Sequence, residues 1–563
     1  MLNWFKDIPK PIWIFAAIWF MAGCFQAACM DLHPDEAYQW NLSKLLDWGY
    51  FHHPPMIVVF IKAGYAIFQN ELGVRLMTVA ASTAGIPILF KLSETSNIKT
   101  FVLVFMGFIL THAGVFMAAP DSPLVFFALL FLLTLKKYIS TDSYVLALVL
   151  GVLVAAMMYS KYHAIIFLAS ALIAVPSLLL RKSFWLIVIV SVAVFLPHVL
   201  WQFDHDLVSY KFNWVIREKS VWKPIILLDY LFGQLLLLGP VGIILVMAIW
   251  KSKIDGKFNR VLKSITIGIF GFFLVMSLRG KVEANWTALA FLPIIILGAR
   301  TLPQHPKLSR VFTPIAWSFI AILIIARCYL ASPWAGKGLP TVFPLKGWEA
   351  WAMAIKEKAN GKPVFFPNSY QLVGQYSFYS GEQGYHFSPL NYNGNQYELW
   401  DIDRQHYGED FALFLRPGPD SSMAVEVDGF KTLYCFELEN YHSYRNLRFE
   451  FEETKYNVLE GGALELRGKI VNRTKETIDL DSLLTERPLK IFYYLNGQHS
   501  PVESVGCSGC TGTLDVGEAK EILLDVRVPE KDGKYFIRFG LDFELGMAEQ
   551  NSDFIQLKIN KNE

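Results

Sequence analysis

The chain has 563 residues, of which 53% are hydrophobic and only 18% are charged, and its mean hydropathy is +0.35. Soluble domains carry about 25% charged residues, so this chain has too few charges to be an ordinary soluble protein throughout. The net charge of +2, together with the absence of a basic stripe with interleaved aromatic residues, argues against nucleic acid as a partner.

The apolar residues are concentrated before about residue 330. A bilayer core takes roughly 20 apolar residues to cross as a helix. The predicted spans, about eleven in number, are Ile12–Met30, Gly73–Leu92, Phe101–Ala118, Leu124–Leu135, Tyr144–Met158, Ala164–Leu180, Phe184–Trp201, Leu227–Trp250, Ile265–Leu278, Trp286–Leu297 and Val311–Leu330. The stretch Met56–Phe68 is too short to cross, and it is interpreted as an interfacial or re-entrant helix.

Basic residues in alternate loops predict the orientation of these spans. Loops that face the cytoplasm are enriched in Lys and Arg. With a cytoplasmic N-terminus, the inner loops hold Lys91, Lys99, Lys136, Lys137, Arg181, Lys182, Lys251, Lys253, Lys257, Arg260, Lys263, Arg300, Lys307 and Arg310. An odd number of spans then places the C-terminal part outside. We therefore predict a multi-pass membrane protein whose C-terminal domains lie outside the cytoplasm.

The C-terminal part changes character twice. Residues 331–440 alternate helical and extended patterns, which predicts a small α/β domain after the membrane domain of residues 1–330. Its predicted helices are Trp348–Ala359 and Tyr370–Tyr379, and its predicted strands are Val364–Phe366 and Phe411–Leu415. Residues 441–563 show short strands of period two, which predicts a β-sandwich of immunoglobulin-like type. The predicted strands are Leu447–Phe451, Ala463–Val471, Leu489–Leu495, Glu521–Val528 and Lys534–Phe543.

Two of the six cysteines, Cys507 and Cys510, form a C-x-x-C pair in the predicted sandwich. A zinc site would need two further ligands, and none is evident nearby. A local disulfide in an oxidising compartment and a pair of free thiols are therefore the alternatives.

The alternation of spans places many polar residues at the outer membrane face. They are Asp31, His33, Asp35, Glu36, His52, His53, Asp121, Lys161, Tyr162, His163, Asp204, His205, Asp206, Arg279, Lys281, Glu283 and Asn285. Charges so close to hydrocarbon are costly unless they line a cavity, so the cluster predicts a functional site. The alternative is that these are loop-end residues in contact with lipid headgroups.

The sequence contains neither a Walker A motif nor a G-x-G-x-x-G motif. Group transfer outside the cytoplasm would therefore need a donor that is already activated and is presented by the membrane. A sugar linked to a lipid phosphate meets both requirements. Its leaving phosphate needs cations, and the acceptor hydroxyl needs one carboxylate as general base.

Two segments of the first outer loop, Asp31–Trp40 and Gly49–Met56, resemble the corresponding loop of GT-C glycosyltransferases. The similarity is to the bacterial branch related to protein O-mannosyltransferases and to lipid A aminoarabinose or galacturonic acid transferases. Further motifs match that branch in order, namely Glu71–Leu76, Ala119–Leu124, Tyr159–Tyr162 and Asn395–Trp400. The resemblance covers about residues 1–415, and the predicted sandwich lies outside it.

The resemblance implies roles for individual residues. Asp35 would be the catalytic base, Glu36 would orient the base or the acceptor, and Asp121 would contact the acceptor or a metal ion. Lys161 would contact the donor phosphate, with support from Arg75, Arg279 or Lys281. The residues expected to line the substrate site are His33, His52, His53, Tyr162, Glu283 and Asn285. A divalent metal ion, the one candidate cofactor, would be bound by Asp35, Asp121 and His53. Asn395–Trp400 would form a loop that covers the site.

The sequence thus predicts an inverting glycosyltransferase. It would move a hexose or pentose from a polyprenyl phosphate to lipid A, a surface glycan or a protein at the periplasmic face. Protein O-mannosyl transfer is one alternative, and a non-catalytic role in transport or assembly of envelope glycans is another. A transporter would be expected to show inverted repeats and charged residues in the middle of spans, and neither is evident.

Overall fold

The structure, a computed structural model, describes residues 6–216, 224–336, 344–367, 369–390, 394–416, 423–495, 498–499, 503–542 and 547–561. The chain divides into two compact units. The first ends at Trp348, and the second is formed mainly by Glu349–Glu563. The first unit is helical, and every strand that the described residues form belongs to the second.

The first unit is built from helices connected by short turns. They are α1 (Lys10–Cys29), α2 (Pro34–Leu42), α3 (Met56–Tyr65), α4 (Glu71–Ser93), α5 (Ile98–Met106), α6 (Ile109–Ala113), α7 (Asp121–Thr141), α8 (Tyr144–Ser160), α9 (Ala164–Ala174), α10 (Lys182–Asp204), α11 (Val208–Tyr210), α12 (Pro224–Lys251), α13 (Lys257–Ser277), α14 (Ala288–Thr301) and α15 (Pro306–Ala331). Short 3₁₀ turns lie at Pro176–Leu180, Ala284–Thr287 and Leu302–Gln304, and a π-helical turn lies at Lys211–Ile216.

The chain is a multi-pass membrane protein. Among the described residues, eight helical stretches are long and apolar enough to cross a membrane, namely α1, α4, α7, α10, α12, α13, Ala284–Gln304 and α15. The expected number of about eleven is not confirmed. The predicted span Phe101–Ala118 is interrupted at Gly107 between α5 and α6. The predicted span Ala164–Leu180 leaves the α-helical path before Pro176, whose ring cannot continue an α-helix.

Ion pairs gather the predicted inner loops at one end of the bundle. Glu94, which follows α4, pairs with Lys136 of α7 and with Arg300 of α14, the latter at 2.9 Å. Asp142 pairs with Arg181 at 3.7 Å. These loops were predicted to share one side of the membrane from their basic residues, and they do lie together. We call this end, marked by Glu94, Lys136 and Arg300, the basic end.

The second unit contains a mixed sheet flanked by helices. The helices are α16 (Trp348–Ala359), α17 (Tyr370–Tyr379) and α18 (Gln396–Trp400), and the strands are β1 (Val364–Pro367), β2 (Gly384–Phe387), β3 (Phe411–Leu415), β4 (Ala424–Val425) and β5 (Leu433–Leu438). The strand order is β2-β1-β3-β5-β4, with β1 parallel to both neighbours and β5 antiparallel to β3. The sequence predicted the strands β1 and β3 and the helices α16 and α17, but it did not predict β2 or β5.

The rest of the second unit is a β-sandwich with one short helix, α19 (Leu480–Glu486). Its strands are β6 (Leu447–Phe451), β7 (Lys455–Leu459), β8 (Ala463–Asn472), β9 (Ile478–Asp479), β10 (Leu489–Leu495), β11 (Gln498–His499), β12 (Glu503–Ser504), β13 (Gly506–Ser508), β14 (Thr513–Leu514), β15 (Ala519–Arg527), β16 (Gly533–Leu541) and β17 (Ile555–Asn560). One sheet has the order β11-β10-β16-β17-β7, and the other has the order β13-β15-β8-β6. Inward-facing residues of both sheets, such as Ile470 and Phe539, share one apolar core.

All the strands predicted for the sandwich are present, although the predicted end of one of them, Phe543, lies outside the described residues. The strands β7 and β17, which pair in parallel, were not predicted. Cys507 and Cys510 form a disulfide, which resolves the alternatives that the sequence left open.

Candidate functional site

The helix α2 begins with a set of capping residues. His33 is the N-cap, and its Nδ1 accepts a hydrogen bond from the backbone N–H of Asp35 at 3.2 Å. Pro34 occupies the first helical position, where the missing N–H costs nothing. Glu36 accepts a hydrogen bond from the backbone N–H of His33 at 2.9 Å, which completes a capping box. The Asp35 side chain remains 57% exposed at this helix start.

Glu36 and Arg75 form a buried, bidentate ion pair. Arg75 donates from Nε to Glu36 Oε1 at 2.8 Å and from Nη2 to Oε2 at 2.5 Å. The backbone N–H of Ala118 also donates to Oε1, at 2.8 Å. Burial alone raises the pKa of Glu36, but the charge and hydrogen bonds of Arg75, together with the backbone donors, hold this pKa below its ordinary value. The other Arg75 donors bind the carbonyl oxygens of Ala27, Met30 and Asp31.

This pair bears on two roles expected from the sequence. Glu36 is 2% exposed and Arg75 is 1% exposed, so both side chains are occupied with each other and with the backbone in this structure. The predicted role of Glu36 in orienting the base is compatible with this position, and contact of Arg75 with the donor phosphate remains a prediction. The two residues connect the end of α1, the start of α2, the helix α4 and the loop before α7. They fix the position of the exposed Asp35.

Asp31 has a comparable structural role. Its Oδ2 accepts hydrogen bonds from the backbone N–H groups of Gly347 at 2.8 Å and Trp348 at 3.2 Å. Its Oδ1 lies 3.4 Å from the Lys346 ammonium. The turn that leads into α2 is thus attached to the segment that follows α15.

Asp121, Lys161 and Asn285 meet although they lie far apart in sequence. The Lys161 ammonium donates to both carboxylate oxygens of Asp121, at 2.9 and 3.0 Å. Asn285 Nδ2 donates to Asp121 Oδ2 at 3.0 Å. Asp121 lies three residues after Ala118, which contacts Glu36, so this cluster adjoins the start of α2. The sequence predicted these residues at one face, and the structure brings them together.

The polar cluster lies at the end of the bundle opposite the basic end. Helix α4 carries Arg75 near its start and is followed by Glu94. Helix α7 starts at Asp121 and carries Lys136 near its end. We call the end marked by Asp35, Asp121 and Lys161 the site end.

Other predicted phosphate contacts do not join this cluster. Lys281 pairs with Glu283 at 2.9 Å, with both side chains largely exposed at 72% and 47%. Arg279 is exposed and forms no ion pair with a described residue. These three residues precede Asn285 in the same loop, but the structure gives them no contact with Asp121 or Lys161. Phosphate contacts of Arg279 and Lys281 therefore remain predictions.

The histidines and Tyr162 pack beside aromatic residues. His52 Nδ1 lies 3.4 Å from the hydroxyl of Tyr38, and its ring packs against Phe212 with 4.7 Å between ring centroids. His53 is partly buried in the same turn. The hydroxyl of Tyr162 lies 2.9 Å from Nε2 of the buried His198. Lining of a substrate site by these residues remains a prediction.

A contact network that the sequence did not reveal holds the first outer loop. Trp201 Nε1 donates to Asp47 Oδ2 at 2.8 Å, and His198 Nδ1 lies 2.7 Å from the Trp48 carbonyl oxygen. The indole of Trp201 packs on Gly49, where an added Cβ would lie 2.3 Å from a ring carbon. Only glycine fits there. Gly49 belongs to a motif of the family resemblance, so the sequence did mark this position. Its partner Trp201 lies 152 positions later and could not be inferred from the sequence.

The expected metal set is not assembled. Among the described residues, no group of three His, Cys, Asp or Glu side chains is arranged to hold a metal ion. Both carboxylate oxygens of Asp121 are engaged by Lys161, and one also by Asn285. The set of Asp35, Asp121 and His53 therefore does not fit a metal ion.

The motif Asn395–Trp400 forms the start of α18 within the second unit. Asn395 and Glu398 make a capping box, and Asn395 also contacts the buried His386 at 3.0 Å. Burial raises the pKa of Glu398, although Ser388 and nearby arginines act in the opposite direction. Packing of the second unit accounts for these residues. Coverage of the site by this motif remains a prediction.

Parts of the chain are similar to known proteins. Residues 52–201 match the family model of dolichyl-phosphate-mannose-protein mannosyltransferases, and this stretch includes Asp121 and Lys161. The lipid A galacturonosyltransferase RgtD of Rhizobium johnstonii (strain DSM 114642 / LMG 32736 / 3841) is 24% identical over 312 residues. That match covers 51% of this chain and 64% of RgtD, so the chain spans slightly less than two thirds of that relative.

Solved structures show the same fold. ArnT from Cupriavidus metallidurans in the apo state superimposes with a TM-score of 0.52 at 14% identity, covering 72% of this chain and 92% of ArnT. ArnT bound to undecaprenyl phosphate gives a TM-score of 0.51 at 14% identity with the same coverage of both chains. Likeness at this identity establishes the fold alone. The chain is a multi-pass membrane protein with the GT-C glycosyltransferase fold.

Proposed function

We propose that the protein transfers a sugar from a polyprenyl-phosphate donor to a hydroxyl group of lipid A or another surface glycan at the periplasmic face of a bacterial inner membrane. The observation that carries the proposal is the exposed Asp35 carboxylate, which is held by the buried Glu36–Arg75 pair beside the Asp121–Lys161–Asn285 cluster. RgtD is a lipid A galacturonosyltransferase, and ArnT has been solved with undecaprenyl phosphate. These relatives support the donor and acceptor classes.

Asp35 acts as the general base. The acceptor hydroxyl oxygen attacks the anomeric carbon of the sugar while Asp35 removes the hydroxyl proton. The bond from the anomeric carbon to the phosphate oxygen breaks, and polyprenyl phosphate leaves with the electron pair. Attack on the face opposite the phosphate inverts the configuration at that carbon.

Lys161 stabilises the leaving phosphate. An ammonium group has three N–H donors, and two of its contacts are made to Asp121. The Lys161 side chain is only 7% exposed, and its third donor has no hydrogen-bond partner among the described residues, so we assign that donor to a phosphate oxygen. Negative charge grows on that oxygen as the bond breaks, so a fixed cation contributes more in the transition state than in the ground state. Asp121 and Asn285 hold the ammonium in place and are positioning residues.

The substitution Asp35→Asn tests the proposal. It keeps the shape of the side chain and removes the proton acceptor, so turnover should fall by roughly 10²–10⁴-fold while donor binding survives. The measurement is sugar transfer from a purified polyprenyl-phosphate sugar to lipid A by detergent-solubilised protein. Asp255→Asn, at an exposed carboxylate of the basic end, is the matched control and should retain full turnover.

The same assay separates the alternatives. The match to a mannosyltransferase family raises the alternative of a protein acceptor, so a peptide acceptor is included beside lipid A. Transfer to peptide alone would replace the glycan acceptor by a protein acceptor. Equal turnover by Asp35→Asn and the unaltered protein would disprove the role of Asp35. Mass spectrometry of lipid A and surface glycans from cells with and without the gene identifies the acceptor, and unchanged glycans would contradict the proposal.

A further inference from the structure

Arg327 places a cation within the last membrane helix. It lies four residues before the end of α15, so it is about 6 Å from that helix end at 1.5 Å per residue. Its Nε donates to Gln26 Oε1 at 3.2 Å, and its Nη2 donates to the Ala22 carbonyl oxygen at 3.3 Å. The guanidinium carbon lies 5.2 Å from the ring centroid of Trp19 and 5.7 Å from that of Phe116. Helix α1 thus fixes the guanidinium on the site end.

Arg327 differs from three other arginines of the membrane unit that are not exposed. Arg75 pairs with Glu36 at 2.5 Å, Arg300 with Glu94 at 2.9 Å and Arg181 with Asp142 at 3.7 Å. Arg327 is half-buried and forms no ion pair with a carboxylate among the described residues. A partly buried cation near the end of a membrane helix is costly without a counter-charge, and such residues commonly mark sites of function. An anion from outside the described residues would compensate this charge.

A second donor beside Arg327 also lacks an acceptor. Trp19 is only 4% exposed, and its indole N–H has no hydrogen-bond partner within the described part of the chain. Buried indole N–H groups normally find an acceptor, because an unmade hydrogen bond at a buried donor costs about 1–3 kcal/mol. The indole ring is the same ring over which the Arg327 guanidinium lies. An acceptor-rich anionic group at this position would compensate the charge of Arg327 and satisfy the neighbouring Trp19 donor.

The surroundings identify the source of that anion. Apolar side chains of both helices near Arg327 are exposed on the membrane unit, with Ile18 at 62%, Met21 at 67% and Ile325 at 67%. Such surfaces meet acyl chains in a bilayer. A phosphate carried by a lipid reaches this depth together with its chains, whereas free phosphate would have to leave water. Charge complementarity and apolar surroundings therefore favour a phospholipid.

We propose that Arg327 and Trp19 form a binding site for the phosphate group of an anionic membrane lipid whose acyl chains lie against α1 and α15. Gln26 orients the guanidinium for this contact. Phe116, which the guanidinium also contacts, belongs to the loop that presents the Ala118 amide to Glu36. The lipid site therefore adjoins the loop that leads to Asp121. The proposal does not depend on the nature of the transferred sugar.

The substitution Arg327→Gln tests the site. Phosphatidylglycerol is titrated into the detergent-solubilised protein, and bound lipid is counted by native mass spectrometry. Charge-assisted hydrogen bonds contribute enough that affinity should fall about tenfold or more. Arg310→Gln is the matched control, because it removes the same charge from an exposed position at the other end of the same helix. Its affinity for phosphatidylglycerol should stay within about twofold of the unaltered protein.

Two further variants keep the test decisive if Arg327→Gln does not fold. Trp19→Phe keeps an aromatic ring under the guanidinium and removes only the N–H donor, so affinity should fall by about threefold to tenfold. Arg327→Lys keeps the charge and loses the planar fork, so it should retain part of the binding.

Control ligands separate the phosphate from the acyl chains. Diacylglycerol, which lacks the phosphate, should bind weakly and equally to the unaltered protein and to Arg327→Gln. An equal loss of affinity for phosphatidylglycerol in Arg310→Gln and Arg327→Gln would overturn the proposal. Unchanged affinity in both Arg327→Gln and Trp19→Phe would also overturn it. Displacement of the lipid by an equal concentration of inorganic phosphate would assign the site to free phosphate and overturn the lipid assignment.

Discussion

At the scale of single residues, two adjacent carboxylates have opposite environments. Successive residues of an α-helix point about 100° apart, so one residue at the start of α2 faces the bundle and the next faces outward. Glu36 is buried and accepts hydrogen bonds from Arg75, Ala118 and His33. Asp35 is exposed. In the proposed function, Asp35 is therefore the general base, and Glu36 supplies the rigidity that a positioned base needs.

Lys161 gives the sharpest residue-scale prediction. If its ammonium binds the donor phosphate, Lys161→Ala should weaken donor binding by about 1.5–3 kcal/mol and also lower turnover, because the phosphate gains charge as it leaves. Lys161→Arg should recover part of each effect, since a planar fork replaces a compact charge. The measurement is the dependence of transfer rate on polyprenyl-phosphate sugar concentration.

Controls distinguish this role from simple attraction to headgroups. Lys99→Ala removes an exposed lysine at the basic end, and it should leave both affinity and turnover unchanged. A lysine that only contacts headgroups would give normal kinetics for Lys161→Ala once the protein is solubilised and folded. That result would remove Lys161 from the site.

At the scale of elements, the sequence pattern predicted those helices that depend on the local succession of apolar residues. The long apolar runs predicted α1, α4, α7 and α10. The break at Gly107 was missed because it depends on packing, since a Cβ there would lie 2.6 Å from Val241 of α12. The partnership of Glu36 with Arg75 was missed because 39 residues separate them.

The grouping of Asp121, Lys161 and Asn285 was predicted better than the number of spans, for a physical reason. Placing Asp121, Lys161 and Asn285 on one side requires only that successive polar turns alternate between the two faces. It does not require every helix to have full length. The pairing of Lys161 with Asp121 depends on how their side chains are placed at the ends of α8 and α7. The alternation of turns predicts the side of the membrane but not this contact.

The Glu36–Arg75 pair carries the element-scale prediction. Glu36→Gln leaves a buried arginine without its counter-charge, which typically costs 3–5 kcal/mol. We expect a lower thermal midpoint in detergent, and loss of transfer as the start of α2 becomes mobile. The pKa of Glu36 is lowered in the folded protein, so its stabilising contribution is complete above the ordinary glutamate range. That contribution is lost as the pH falls through the lowered pKa that Glu36 has in the folded protein.

Glu94→Gln is the matched control for this prediction. Glu94 also pairs with cations, but its side chain is 49% exposed, and exposed pairs contribute about 0–1 kcal/mol. The thermal midpoint of Glu94→Gln in detergent should therefore fall much less than that of Glu36→Gln. Equal shifts for the two variants would show that the buried pair is not the main connection between α2 and α4.

At the scale of the whole molecule, the two ends of the membrane unit differ in chemistry. Glu94, Lys136 and Arg300 form ion pairs at the basic end. The site end holds Asp35 and the Asp121–Lys161 pair. The chain also leaves the first unit at the site end, because the segment after α15 is bound by Asp31 there. The positive-inside tendency therefore predicts that the site and the exit toward the second unit share the periplasmic face.

Cysteine labelling tests this orientation, and the structure selects the positions. Trp48 and Lys281 are exposed at the site end, at 57% and 72%, and Lys257 and Arg310 are exposed at the basic end. Single cysteines at these positions are introduced after the free cysteines Cys24, Cys29, Cys328 and Cys435 are replaced by alanine.

An impermeant maleimide should label the cysteines at Trp48 and Lys281 in intact spheroplasts, because both positions would face the periplasm. The cysteines at Lys257 and Arg310 should react only after lysis. The reverse pattern would place the site in the cytoplasm, where a nucleotide sugar is the available donor and a lipid-linked sugar is unnecessary. Mixed labelling within either pair would break the assignment of each end to one side. The labelling pattern therefore decides both the orientation and the class of donor that the site can meet.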